Sequence, residues 1–210
     1  MGQVIRLERR DPTGRQPAAR PVENPNPDPP SDGELIAQTL DGSRRAKEQL
    51  YRRHARMVLG MAHRLLGGHE VDDVVQDTFL TAFERLHQLR EPEKFRSWLG
   101  AIAVAKVRRR LRRRQLRRRL GFRSGEWDSE KMVAGDASDP HAAAEVSAIY
   151  EVIRDLAPEV RIALVLRRVE GLTIPEVAAH LEVSERTAKR RVREGIDAIE
   201  RWRSAREGAR

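Results

Sequence analysis

Apolar residues recur every three or four positions along most of the chain, and no stretch alternates with the period of two typical of a half-buried strand. Ala46, Leu50, Met57, Val58, Met61 and Leu65 follow that spacing and predict a helix from Ser43 to Leu66, closed by Gly67-Gly68. Ahead of it, "SDGELIAQTL" predicts a short helix capped by Ser31 or Asp32 and ending before Asp41-Gly42. A third helix is predicted over 71–86, with Val71, Val74, Val75, Thr78, Phe79, Ala82, Phe83 and Leu86 on its core side. Pro92 lies in the connection to a fourth, which starts near Glu93 and buries Phe95, Trp98, Leu99 and Ile102. Helices over 142–155 and 158–169 follow, the second opened by Pro158 and closed near Gly171. The expected fold is all-α, with two small helical domains at 31–120 and 144–206. Residues 1–30 are expected to be a disordered tail, since 11–30 alone contain seven prolines. The Gly, Ser, Asp and Ala of 121–143 predict a flexible linker.

The last segment, "GLTIPEVAAHLEVSERTAKRRVREGIDAIERW", contains two helix starts separated by a tight turn. Thr173 and Glu176 have capping-box spacing with Pro175 in the first turn, and Ser184 can cap the second helix. Ile174, Val177, Ala178 and Leu181 form one buried stripe; Ala188, Val192, Ile196 and Ile199 form the other. A short helix, a tight turn and a longer basic helix define a helix-turn-helix. Arg186, Arg190 and Arg193 fall opposite the second stripe, with Thr187, Lys189 and Arg191 beside them, where a major groove would be read. An amphipathic hairpin with a charged outer face is the plainer alternative.

Charge sharpens this picture. The net charge is +9, yet Lys106–Arg119 alone holds ten positive residues, so the remaining chain sums to −1. The basicity is one local device suited to a polyanion, with a solvated basic helix end as the bland alternative. Against it stands the outer face of the third helix: Asp73, Gln76, Asp77, Leu80 and Glu84. A leucine framed by acids fits a docking strip, the apolar anchor supplying affinity and the charges orientation. The helix dipole explains Asp72 and Asp73 but not Glu84. His69, Asp73 and Asp77 also have i, i+4, i+8 spacing, but without the partner ligands of a metal site. No metal, cofactor or catalytic residue is expected. His54 and His63 are expected at the edge of the core. The chain contains no cysteine, which excludes disulfides and thiolate metal sites and suits a reducing cytosol. No apolar run approaches the ~20 residues of a membrane helix, and no signal peptide is seen.

"VDDVVQDTFLTAFERLHQLREPEKFRSWLGAIAVAKVRRRLRRR" resembles region 2 of bacterial RNA polymerase sigma factors, and "LAPEVRIALVLRRVEGLTIPEVAAHLEVSERTAKRRVREG" resembles their region 4. Two regions in this order, joined by a short linker, are similar to the extracytoplasmic-function (ECF) subgroup. The resemblance implies a subunit that binds core RNA polymerase and directs initiation at −10 and −35 promoter elements, in the cytoplasm and without catalysis of its own. It implies that Asp73, Gln76, Asp77 and Phe79 belong to a helix docking on the β′ clamp helices, with Leu80 and Glu84 beside them, and that region 4 meets the β flap. It further implies that Leu89 to Lys94, Arg90 included, capture an unstacked −10 base. Trp98, Lys106, Arg108, Arg109, Arg112 and Arg113 then meet the opened strand, and Arg186, Thr187, Lys189, Arg190 and Arg193 meet the −35 duplex. An anti-sigma factor is a further implied partner. Two departures affect promoter choice: Ala105 stands where an asparagine is usual, and Glu194-Gly195-Ile196 where "R-A-R" is usual. The competing functions are a stand-alone helix-turn-helix regulator and a metal-dependent nucleic-acid enzyme using the His69/Asp73/Asp77 face.

Overall fold

The computed structural model describes residues 29–68, 70–120 and 140–208, so most of the expected tail and most of the expected linker lie outside the described residues. Among these there are eight α-helices and no strand. Helices α1 (Asp32–Leu40), α2 (Arg44–Leu66), α3 (Val71–Glu84) and α4 (Phe95–Arg119) form the first set. Helices α5 (Pro140–Asp155), α6 (Pro158–Arg168), α7 (Ile174–Leu181) and α8 (Glu185–Glu207) form the second.

The caps follow local chemistry. Ser31 Oγ accepts from the Glu34 amide at 3.2 Å while the Glu34 carboxylate accepts from the Ser31 amide at 2.7 Å. Ser43 caps α2 through the Ala46 amide, and Gly67 closes it at φ +50°. Helix α3 stops at Glu84, two residues short of expectation, because Leu86–Gln88 tightens into a 3-10 turn that still buries Leu86. A second such turn, Pro92–Lys94, precedes α4. Thr78, fully buried, meets its hydrogen-bonding need by donating to the Val74 carbonyl at 2.6 Å.

In the first set, Leu50, Val58, Leu65, Val74, Phe79 and Phe95 pack in the interior. His54 is buried with them, edge-on to Phe95, its Nε2 2.9 Å from Asp32 Oδ2. Burial pulls its pKa below the ordinary value, outweighing the pull of Asp32 in the other direction. In the second set α6 is central, with Ile162, Ala163, Leu164, Val165 and Leu166 all buried. Helix α8 crosses it closely: a Cβ on Gly195 would lie 3.0 Å from Leu164 Cδ2 and 3.1 Å from its Cβ.

One continuous apolar cluster runs through both sets, and α4 packs against α6 and α7. Arg161 of α6 is buried and donates to the carbonyls of Leu65, at the end of α2, and of Arg154 and Leu156. Arg114 of α4 donates to the neighbouring Leu66 carbonyl at 2.7 Å. Two guanidiniums thus satisfy the open carbonyls at the negative end of α2.

Candidate functional site

The acidic face of α3 is two surfaces, divided by the helices on either side. Asp73 and Asp77 turn toward α4, where Arg110 donates to them at 3.3 and 3.1 Å. Glu70, just before α3, lies 3.7 Å from Arg110 and pairs with Arg114 at 2.5 Å. Burial works against the Arg110 charge, but the hydrogen bonds to Asp73 and Asp77 outweigh it and raise its pKa. These carboxylates therefore neutralise part of the chain's own basic block, and Asp73 and Asp77 hold a guanidinium where sequence spacing offered a cation site. The third residue of that triplet, His69, lies outside the described residues.

Gln76 and Leu80 turn the other way, into a groove between α2 and α3. Leu80 is 53% exposed. Across from it α2 contributes Tyr51 and Leu59, both exposed, and Arg52 and Arg56. The groove floor is aromatic: Tyr51 lies 4.7 Å from Phe79, and Lys47 sits 4.7 Å over Phe83. Glu84 is exposed at the end of α3. The α2 half of this surface was not anticipated. Tyr51 and Leu59 each follow a core residue, Leu50 and Val58, so they resemble the edge of the buried stripe.

The arginine block divides in a similar way. Arg110 and Arg114 face α3. Arg108 and Arg112, expected on nucleic acid, face α6: both donate to Glu159 Oε1, from Nε at 3.4 and 2.9 Å respectively. Arg108 also reaches the Leu181 carbonyl at 3.5 Å. Glu159 is half-buried; desolvation alone would raise its pKa, but the hydrogen bond from Arg112, its own backbone, the Arg112 charge and the hydrogen bond from Arg108 lower it. Arg109 and Arg113 are exposed and find no carboxylate among the described residues, while Lys106 is half-buried. All four named arginines outside the α3 face line a groove between α4 and α7, together with Ala105. Ala105 is exposed there and presents only a methyl group.

The loop before α4 is held by short-range contacts. Leu89 is half-buried against the core, Arg90 is exposed, and Lys94 pairs with Glu91 at 2.7 Å. Trp98 is half-buried, its ring 6.0 Å from Phe95.

The helix-turn-helix forms as expected. Thr173 and Glu176 make the capping box, and Ser184 caps α8 through the Thr187 amide. Between the helices Glu182 takes φ +53°, with its amide on the α7 carbonyls. Arg186, Thr187, Lys189, Arg190 and Arg193 share one outer surface of α8 with the apolar Ile174, Val192 and Ile196 beneath. Arg193 is tied to Asp197 at 2.8 Å, whereas Arg191 turns inward and is half-buried.

Comparison with known proteins agrees with this architecture. The Sigma-70 region 2 family matches residues 50–117, and Sigma-70, region 4 matches 147–199. RNA polymerase sigma factor NccH of Alcaligenes xylosoxydans xylosoxydans is 34% identical over 169 residues, covering 79% of this chain and 90% of that protein. The ECF RNA polymerase sigma-E factor of Escherichia coli is 25% identical over 183 residues, covering 81% and 93%. The solved structure of CnrH in complex with the cytosolic domain of CnrY is similar at TM-score 0.57 and 29% identity, covering 83% of this chain and 97% of that one. The chain belongs to the RNA polymerase sigma factors, of the ECF type.

Proposed function

We propose that the chain directs promoter-specific initiation by docking on core RNA polymerase through the α2–α3 groove. Gln76 and Leu80 are the contacts of that groove, and Asp73, Asp77 and Glu84 supply its acidic margin toward the β′ clamp helices. Region 4 meets the β flap. The observation that carries this reading is Leu80: a leucine 53% exposed in an aromatic-floored groove whose lining includes Asp72, with Asp73, Asp77 and Glu84 on the same helix outside it, in a chain of net charge +9. Buried after docking, it supplies apolar affinity while the acids orient a basic partner.

Promoter contact falls to the exposed Arg109 and Arg113 with Lys106, Arg108, Arg112 and Trp98, after a loop in which Leu89, Arg90 and Lys94 receive a −10 base. The α8 surface of Arg186, Thr187, Lys189, Arg190 and Arg193 reads the −35 duplex. The protein performs no catalysis itself and works in the cytoplasm; no helix among the described residues is long and apolar enough to cross a membrane. CnrH is solved with CnrY, and an anti-sigma factor is proposed as a partner here. Family membership does not favour the stand-alone regulator and supports a non-catalytic role over a metal-dependent enzyme.

The test is binding to core polymerase, followed by run-off transcription. The wild-type chain is expected to yield promoter-dependent transcripts only with core enzyme. Gln76→Ala with Leu80→Ala is expected to weaken core binding at least tenfold, the equivalent of about 1.4 kcal/mol. Wild-type affinity in that variant overturns the docking assignment.

A further inference from the structure

We infer that the cleft between α4 and α7 is a binding site for a small nucleotide, its phosphate held by Arg109 and Arg113 and its base lodged between the alanines of the two helices. The site stands independently of any contact between α4 and promoter DNA.

The cleft has a volume of about 480 Å³, within the ~300–1,000 Å³ of small-molecule sites. Its two ends differ in chemistry. At one end Ala101 and Ala105 of α4 line one wall and Ala179 of α7 the other, so both present methyl groups. The helices approach closely here: a Cβ on Gly100 would lie 3.4 Å from His180 Nε2. A narrow slot with apolar walls admits a flat ring and rejects a bulky body. His180 adds one polar atom. Its Nδ1 lies 2.8 Å from the Glu176 carbonyl, which only accepts, so Nδ1 carries the hydrogen and Nε2 of the neutral ring is left as an acceptor. That acceptor suits the exocyclic amine of a nucleobase.

The other end is cationic. Arg108 and Arg112 already share Glu159 Oε1. Arg109 and Arg113, both exposed, pair with no carboxylate among the described residues and lie one turn apart, about 6 Å along the helix. Two guanidinium forks at that spacing can both reach the oxygens of one phosphate. The charges agree. Four guanidiniums against the carboxylates of Glu159 and of Glu182, on the α7 lip, leave a net +2. A phosphate monoester carries ~−1.5 to −2 at neutral pH. Inorganic phosphate would satisfy the arginines and leave the alanine slot and Nε2 unused; a nucleoside would do the converse. A nucleotide uses the whole cleft.

The experiment is equilibrium dialysis of the full chain against radiolabelled AMP at physiological ionic strength, with inorganic phosphate and adenosine as competitors. The expected result is saturable binding of one AMP per chain, a rise in Tm with AMP, and competition at least ~tenfold weaker from phosphate or adenosine alone. Arg109→Gln with Arg113→Gln is expected to weaken AMP binding at least ~tenfold. Ala179→Glu is expected to do the same by placing a carboxylate on the α7 wall; Ala179 is exposed and lies outside every contact assigned above. Ala105→Leu fills the slot from the α4 side and is expected to bring AMP down to the affinity of inorganic phosphate. Glu182→Gln removes the opposing charge on the lip and is expected to tighten AMP, a gain that unfolding cannot mimic. Arg186→Gln with Arg190→Gln removes the same charge from α8 and is expected to leave AMP binding as in wild type. Equal losses from the two arginine pairs, or equal affinities for phosphate and AMP, would reduce the cleft to diffuse attraction of anions and overturn the site. Wild-type binding by Ala179→Glu would overturn the sharing of the ligand between α4 and α7. Absence of saturable AMP binding by the wild-type chain overturns the inference as a whole. Circular dichroism on each variant separates lost binding from unfolding.

Discussion

Gly195 occupies the point where α8 crosses α6, and two opposing effects meet there. Alanine is a better helix residue by about 1 kcal/mol, so propensity alone predicts stabilisation. The added methyl would press on Leu164, itself buried, at 3.0–3.1 Å, and its Cβ cannot swing aside as the end of a flexible side chain would. Overpacking of this kind costs about 1–3 kcal/mol. Gly195→Ala is therefore expected to lower stability by about 1 kcal/mol net, measured by urea unfolding; a gain would mean that α6 yields. Glycine at this position, a departure from the family's usual alanine in the sequence, is explained by helix packing. Its neighbour Glu194 is exposed, and Glu194→Arg is expected to raise duplex affinity without sharpening sequence preference. Arg190 differs from both. Arg193 shares its charge with Asp197 in an exposed pair, so Arg190→Ala is the change expected to alter most clearly which −35 sequences are selected from randomised duplexes, an arginine on guanine being worth about 1–3 kcal/mol of discrimination. Retention of the wild-type preference at every position would make α8 an electrostatic anchor.

At the scale of the helix, α4 shows what a linear pattern can and cannot disclose. The period of three and four located every helix here to within a few residues, because burial of one stripe and the capping residues Ser31, Ser43, Thr173 and Ser184 are local properties. The ten cations of Lys106–Arg119 look alike in sequence, and nothing local says which carboxylate each will meet. Their partners come from residues 33 to 51 positions away: Asp77 for Arg110, Asp73 at 37 and Glu70 at 44 between them, and Glu159 for Arg112 and Arg108. The acidic strip on α3 was legible for the same local reason as the stripe opposite it. Its division between Arg110 and the α2 groove was not. The consequence is measurable. Arg109→Gln with Arg113→Gln is expected to flatten the salt dependence of promoter binding by holoenzyme by about 1.4–1.8, at 0.7–0.9 per contact, with stability unchanged. Arg114→Ala is expected to do the reverse, leaving the slope alone and costing about 1–2 kcal/mol, since it leaves the Leu66 carbonyl and Glu70 without their donor.

Across the whole molecule, the contact between the two helical sets combines an apolar seam with polar ties, and the ties differ in kind. Those at Glu159 and Glu170 are partly wet ion pairs, weakened by salt and replaceable by another anion. Arg161 is not of that type. It is 5% exposed and donates to carbonyls of both sets, Leu65 on one side and Arg154 and Leu156 on the other. Truncation strands buried acceptors at about 1–3 kcal/mol apiece, so Arg161→Met, which keeps much of the volume, is expected to lose about 2–4 kcal/mol. Where that loss appears tells how the sets are coupled. If Arg161 joins them, hydrogen exchange accelerates at the end of α2 as well as around Leu156, and a single urea transition shifts as a whole. If it serves only region 4, protection falls in α5 and α6 while the amides of 61–66 keep their wild-type rates. The first outcome is expected, because Leu65 lies in the last turn of α2, which ends at Leu66, and its carbonyl accepts from Arg161. A Glu159→Gln background then sharpens the measurement: with the Arg108 and Arg112 ion pairs weakened, the additional effect of Arg161→Met on α2 is expected to shrink, giving a non-additive double-mutant cycle. Additivity within about 0.5 kcal/mol would instead mean that the two ties act independently.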